Sequence, residues 1–284
     1  MDVQRLGIVG SGQMGGGIAE VAAKAGYEVV LRSRTAEAAE ATLAGIDKSL
    51  GKQVAKGRLE DAEREAIVAR ITPTAELSDL FDCDLVIESV VEDLTVKKVL
   101  FVELDAVCKP SAIVATNTST LSVIELAVQT KRPERVCGIH FFNPAPLMSL
   151  VEVVRPLTAT DETIAAAKAF AQRCGKDAVD VKDRAGFIVN ALLFPYLNNA
   201  VRMLDHGTAS MEDIDTAMRG GCNFPLGPFQ LLDLVGLDTS VAILDALYVE
   251  FKDPNYTPVP SLRRMVEAGL LGRKSGRGFY DYRG

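Results

Sequence analysis

The chain carries two histidines, and one of them, His140, closes an apolar run and is followed at once by Phe-Phe-Asn-Pro-Ala-Pro146. Imidazole takes and gives protons near neutral pH, and a rigid Pro-rich exit from a strand would hold it at the sheet edge where α/β proteins bind ligands. A little further on, Leu150-Val-Glu-Val-Val154 places a single carboxylate, Glu152, in an otherwise apolar strand. A buried carboxylate is costly without a donor or cation beside it. If the Pro-rich turn folds this strand back along the first, the imidazole is the available partner. Glu152 would then orient the ring and stabilise its protonated form, as a general base requires. A structural histidine hydrogen-bonded to Glu152 satisfies the same local pattern. His206, beside Asp205 near the end of a long helix, reads as a capping or surface residue.

The second constellation is Gly10-Ser-Gly12-Gln-Met-Gly15, a G-x-G-x-x-G set between an expected strand and an expected helix. Glycine serves three needs there: a tight turn, backbone approach to a pyrophosphate, and close packing of helix on strand. The free N–H groups and dipole of the helix then favour the phosphates. Where a second strand ends, about 20 residues on, an acid would bind the adenosine ribose hydroxyls. This chain has Arg32-Ser33-Arg34 instead. Ser33 does not repel a 2′-phosphate, and Arg32 or Arg34 can pair with one, so NADP(H) is favoured over NAD(H). Successive strand side chains face opposite ways, so not all three line one site.

These groups need a scaffold, and the first half alternates short β-branched runs with helical stretches, the pattern of a parallel α/β sheet. Strands are expected at 6–9, 28–32, 71–72, 85–88, 113–115 and 136–139, and helices at 14–25, 36–56, 60–70, 94–107 and 123–128. After a segment at 177–181 the strand signal fades. Helices are expected at 188–206, 211–219, 229–234, 239–251 and 262–268, ahead of a glycine-rich extended tail. The fold class is therefore α/β, a Rossmann-like doubly wound sheet followed by an all-helical domain. The polar, glycine-ended Lys182-Asp-Arg-Ala-Gly186 marks the boundary, giving domains 1–184 and 185–284. Lys48, Lys52 and Lys56 recur every four residues and share a helix face, which suits either ligand phosphates or a solvated surface.

Composition narrows the partners. With 284 residues, 48% of them apolar, the chain is long enough for two cores. A net charge of −7 provides no field for nucleic acid or an anionic membrane. Five cysteines without a CxxC pair and two distant histidines support neither a disulfide framework nor a metal site. No secretion signal, lipidation motif or membrane-length apolar run is read, so a reducing, cytoplasmic setting is expected.

Taken in order, Gly10 to Ala19, Val86-Ile-Glu-Ser-Val-Val-Glu-Asp93, Ala115-Thr-Asn-Thr-Ser119, Gly138-Ile-His-Phe-Phe-Asn-Pro144, Asp183-Arg-Ala-Gly-Phe-Ile-Val-Asn190 and Gly272-Arg-Lys-Ser-Gly-Arg-Gly-Phe-Tyr280 span essentially the whole chain. In these motifs it resembles the 3-hydroxyacyl-CoA dehydrogenases, particularly the short, monofunctional 3-hydroxybutyryl-CoA dehydrogenase type. The resemblance implies reversible hydride transfer between an L-3-hydroxyacyl thioester and a nicotinamide. It makes His140 the general base and acid, Glu152 its orienting carboxylate, Ser119 the donor to the reacting oxygen and Asn190 a donor near the thioester carbonyl. It carries cofactor contacts to Gly10, Gly12, Met14, Gly15, Glu92, Lys97, Ser119, Asn143 and Lys274, and contacts with coenzyme A to Ser49 and Lys56. Ser33 departs from the family's common Asp. The resemblance also implies a homodimer through the helical domain. Two other functions fit the same residues: a dehydrogenase of carrier-protein thioesters, and a nucleotide-binding protein without turnover. The second would be expected to lack a catalytic group, and none of the four is missing.

Overall fold

A computed structural model describes residues 3–283; positions 1, 2 and 284, the outermost residues of the two expected domains, lie outside the described residues. The chain divides into two compact units, one ending at Asp183 and the other beginning at Arg184.

The first unit runs β1 (Arg5–Val9), α1 (Gln13–Lys24), β2 (Glu28–Arg32), α2 (Ala36–Val54), α3 (Asp61–Ala69), β3 (Ile71–Thr74), β4 (Leu85–Glu88), α4 (Leu94–Val107), β5 (Ile113–Thr116), α5 (Val123–Ala127), β6 (Val136–Phe141), β7 (Leu150–Arg155), α6 (Asp161–Arg173) and β8 (Asp177–Lys182). The strands form one sheet in the order β3-β2-β1-β4-β5-β6-β7-β8. Every neighbouring pair is parallel except β6 and β7. Leu85-Val-Ile-Glu88 and Ile113-Val-Ala-Thr116 are buried at every residue, which a sheet covered on both faces demands. Helix starts are fixed by side-chain caps: Thr35 accepts from the Ala38 N–H, Asp93 from Val96 and Thr160 from Thr163.

Two expectations are corrected. Helix α6 was not among the expected elements; half of its buried residues are Ala166, Ala167 and Ala171, whose small side chains give weak hydrophobic contrast, with Ile164 and Phe170 anchoring it in the core. Helix α2 stops at Val54, so Lys56 sits in the following turn, where its N–H donates to the Gln53 carbonyl. Only Lys48 and Lys52 of the lysine row share the helix.

The second unit is α7 (Val189–Asp205), α8 (Met211–Cys222), α9 (Pro228–Val235), α10 (Leu237–Phe251) and α11 (Pro260–Glu267) around Phe194, Leu197, Phe229, Leu232, Leu244 and Leu247. Its tail is more than an extended end. Buried Asp233 accepts from the Phe279 and Tyr280 N–H groups, and buried Asp215 from the Tyr280 hydroxyl, fastening the tail to α8 and α9. Among the described residues no helix is long and apolar enough to cross a membrane, and no cluster of three or more His, Cys, Asp or Glu could hold a metal ion.

Candidate active site

Because β1, β2, β4, β5 and β6 are mutually parallel, the segments after Val9, Arg32, Glu88, Thr116 and Phe141 leave the same edge of the sheet. That edge, with the strand order reversing between β1 and β4, is where open α/β sheets bind ligands. The glycine loop, Ser33, Glu92, Ser119 and Asn143 all lie on these segments.

The turn from β6 to β7 does what its prolines suggested. The antiparallel register sets His140 directly opposite Glu152, so both side chains share a face. His140 Nδ1 lies 2.8 Å from Glu152 Oε2, with Glu152 fully buried and His140 6% exposed. An ionised carboxylate only accepts, so Nδ1 carries the donated proton, which makes Nε2 the acceptor nitrogen of the ring. The Phe142 ring packs 4.5 Å from the imidazole, centroid to centroid. The Phe141 N–H donates to Asn117 Oδ1 at 2.8 Å, tying the end of β6 to the segment that carries Ser119.

Ser119 is half-buried, and its N–H donates to Glu92 Oε1 at 3.0 Å; the Thr118 hydroxyl donates to the same oxygen at 2.5 Å. Glu92 Oε2 faces Lys97 Nζ at 3.3 Å. Lys97 opens towards a second carboxylate, fully buried Glu88, at 2.6 Å. Three of the expected residues, Glu92, Lys97 and Ser119, thus belong to one network.

The glycine loop shows each of its three needs separately. A Cβ on Gly10, which has φ 114°, would meet the Ser89 carbonyl oxygen at 2.3 Å, and one on Gly15 the Gly10 oxygen at 1.8 Å. A Cβ on Gly12 meets nothing within 4 Å, which leaves the backbone open to an incoming group. Helix α1 begins without a side-chain cap and without an acid in its first turn, so its N–H groups and dipole face that opening. Met14 is half-buried against the core.

Residues 5–184 match the family described as 3-hydroxyacyl-CoA dehydrogenase, NAD binding domain, and residues 186–282 the C-terminal domain of the same family. The chain belongs to the 3-hydroxyacyl-CoA dehydrogenase family. It is 50% identical over 286 residues to a 3-hydroxybutyryl-CoA dehydrogenase of Mycobacterium tuberculosis, covering 99% of each chain. It is 46% identical over 278 residues to one of Clostridioides difficile, covering 98% of this chain and 99% of that one. The solved structure of (S)-3-hydroxybutyryl-CoA dehydrogenase from Ralstonia eutropha superposes with a TM-score of 0.97 at 41% identity, all of both chains being covered.

This dehydrogenase therefore has the expected α/β class, a Rossmann-like NAD-binding unit followed by a helical one, and the open, uncapped glycine turn fits a dinucleotide pyrophosphate. At the end of β2 the chain has Arg32-Ser33-Arg34, with no acid among the three. Ser33 is buried, with its Oγ 2.6 Å from Ser11 Oγ, while Arg32 Nε donates to the Ala75 carbonyl and Arg34 stays exposed. A groove of about 320 Å³ between α1 and α2 is lined by Gly12, Gly17, Thr42, Ser49 and Pro146 among others; Lys56 is exposed beyond the end of α2. In the second unit, Asn190 is buried in the first turn of α7, and Lys274 pairs with Asp238 at 2.6 Å. His206 is the C-cap of α7.

Three polar groups of the dehydrogenase's first unit went unread in sequence. Glu88 ends an apolar strand just as Glu152 interrupts one, which is a visible signal. Asn117 lies inside a quoted motif. Lys176, 9% exposed, donates to the Ala145 and Met148 carbonyls at 2.8 and 2.7 Å and so holds the turn after Asn143. Nothing in the local pattern around Lys176 announces that role.

Proposed function

We propose that the chain interconverts short L-3-hydroxyacyl-CoA, 3-hydroxybutyryl-CoA foremost, and 3-ketoacyl-CoA, using NADP(H) in preference to NAD(H). The observation that carries this reading is the buried His140–Glu152 pair at the same sheet edge as an open glycine turn. A nicotinamide bound there supplies the hydride acceptor for the carbinol carbon. His140 Nε2 takes the hydroxyl proton and returns it in the reverse direction. Glu152 holds the ring by Nδ1 and stabilises its cation. Ser119 donates to the reacting oxygen and Asn190 to the thioester region. Gly10, Gly12, Met14, Gly15, Glu92, Lys97, Asn143 and Lys274 hold the dinucleotide, and Ser49 and Lys56 the coenzyme A portion.

The preference for the phosphorylated cofactor is supported by the end of β2. The Ser11–Ser33 hydroxyl pair offers neutral donors and no repulsion, and Arg34 is the exposed guanidinium, Arg32 being turned to a carbonyl. Residues 1–184 act as the dinucleotide-binding domain and 185–284 as the substrate and dimerisation domain. Exposed Leu192, Met203, Leu234 and Val249 on the helical unit support a homodimer through it, in a cytoplasmic setting suited to five free thiols. Light scattering that finds only monomer at working concentration would remove the dimer.

The activity is tested by reducing acetoacetyl-CoA with NADPH and NADH in parallel, with His140→Ala as control. Turnover with both, a higher kcat/KM for NADPH and its loss in the variant are expected. Folded protein that turns over with neither cofactor would refute the proposal.

A further inference from the structure

Glu88 is a fully buried carboxylate at the binding edge that the proton and hydride steps do not use. It ends β4, beside the point where the strand order reverses. Its Oε1 accepts from the Val90 N–H and from Lys97 Nζ, both at 2.6 Å, and its Oε2 from the Thr116 hydroxyl at 2.7 Å. Lys97 is 1% exposed and stands 3.3 Å from Glu92 Oε2. Glu92 is the exposed member, with 38% of its side chain open.

Two carboxylates and one ammonium leave a surplus of one negative charge. The shorter contact assigns Lys97 to Glu88, so the surplus resides on Glu92, the group at the crevice. Two charged neighbours on the same segment are engaged elsewhere: Asp93 caps α4 and Lys98 pairs with Glu125 at 2.6 Å. Adenosine lies towards β2 in this topology, which sends the nicotinamide half of a dinucleotide over the β4 to β6 side. The oxidised nicotinamide ring is a cation and the reduced ring is neutral, so a net charge there discriminates between them.

We propose that Glu88 sets the charge of the crevice floor: by neutralising Lys97 it leaves Glu92 negative, and this favours binding of the oxidised over the reduced cofactor. Glu88 is a positioning residue, acting through Lys97 and Glu92 without touching the reacting atoms. The proposal rests on, and deepens, the reading of this edge as the dinucleotide site. Without the Glu88 charge, Lys97 cancels Glu92 and the discrimination falls. A single charge across a partly hydrated crevice changes the ratio of two dissociation constants by about three- to tenfold.

The test is a binding measurement without substrate: calorimetric Kd for the oxidised and reduced forms of NAD and of NADP. Glu88→Gln keeps the side-chain shape and is expected to raise Kd(oxidised)/Kd(reduced) about three- to tenfold. E88Q/K97M restores the net charge of −1 on Glu92 alone and removes the buried ion pair altogether, so the ratio returns to within about twofold of wild type even where both affinities weaken. E92Q, at a half-open position, shifts the ratio in the same direction as E88Q. If E88Q alone does not fold, the contrast between E88Q/K97M and E92Q decides. An unmoved ratio in E88Q, or a double variant whose ratio is displaced as far as that of E92Q, overturns the charge proposal while leaving the dinucleotide site standing. Wild-type protein that binds neither form overturns both.

Discussion

Glu152→Gln isolates the contribution of the buried carboxylate, because it keeps the volume at a fully buried position and removes only the charge and one acceptor. When His140 accepts a proton, the imidazolium stands 2.8 Å from Glu152 Oε2 by its Nδ1. A pair of unit charges about 4 Å apart at an effective dielectric near 20 attracts by about 4 kcal/mol, and part of that survives as the dipole of the amide. A loss of about 3 to 4 kcal/mol of transition-state stabilisation is expected, or about 10²- to 10³-fold in kcat/KM. His140→Ala should lose at least as much, up to about 10⁴-fold. Since Glu152 acts only through the ring, H140A/E152Q should match H140A within about twofold. The assay is acetoacetyl-CoA reduction at saturating NADPH, with thermal melts alongside. Stability should run the other way. H140A takes the imidazole from a buried carboxylate, at a cost of about 3 to 5 kcal/mol, and E152Q in the same chain relieves it, so the double variant should melt above H140A. E152Q with more than a tenth of wild-type kcat/KM, or a double variant whose loss is the product of the two singles, would show that the carboxylate does not work through the imidazole.

Ser33→Asp puts a charge where the neutral Ser11–Ser33 pair stands, and should lower the NADPH-to-NADH ratio of kcat/KM by at least about tenfold; an unmoved ratio would mean that the end of β2 does not meet the 2′ position. Lys176→Met frees the Ala145 and Met148 carbonyls and loosens the turn that packs on Gly17, where an added Cβ would sit 3.2 Å from Ala145 Cβ and Pro146 Cδ. Steady-state kinetics should show a KM for the acyl-CoA raised roughly tenfold with kcat little changed, and recovery in Lys176→Arg. Burial, reinforced by Lys24 and opposed by Cys174, holds the Lys176 ammonium below the ordinary 10.5, so the folded chain binds fewer protons than the unfolded one as pH approaches that value. Wild-type stability therefore gains from this group on the alkaline side, and K176M should lack that gain in pH-dependent melts. The thiols act in the opposite sense. Burial pushes Cys137 and Cys83 up from 9.0 to about 12 and Cys108 to about 11, so the unfolded chain ionises first and stability falls above about pH 9. With Cys174 also pushed up to about 12 by burial, a disulfide reagent at pH 8 should label exposed Cys222 alone rapidly in native protein, and C222S should abolish that phase.

What was legible from residues alone followed contrast. The glycine loop stands between an apolar strand and a helix, and Glu152 is a lone acid in Leu-Val-x-Val-Val, so both could be read and the partner of Glu152 inferred from the prolines between the strands. Helix α6 lacked that contrast because alanines make half of its buried face. The end of α2 was misplaced because lysines at regular spacing continue past the last helical residue, Val54, without any residue that forbids the helix. The Ser11–Ser33 contact joins residues far apart in sequence and exists only because β1 and β2 are adjacent. Glu88 and Lys97 are different, since both were readable in retrospect. Glu88 ends a strand buried at every residue, and Lys97 falls on the line of Phe101 and Leu104 along α4, the face that packs inward, while Lys98 falls off it and pairs with Glu125. An acid closing an all-apolar strand, followed by a lysine in phase with the apolar positions of the next helix, specifies a buried ion pair because neither charge is tolerable there without the other. In this chain that pair lies beneath the crevice. The same desolvation that makes it readable also ties the charge on Glu92, through Lys97, to Glu88, a residue the hydride and proton steps do not use.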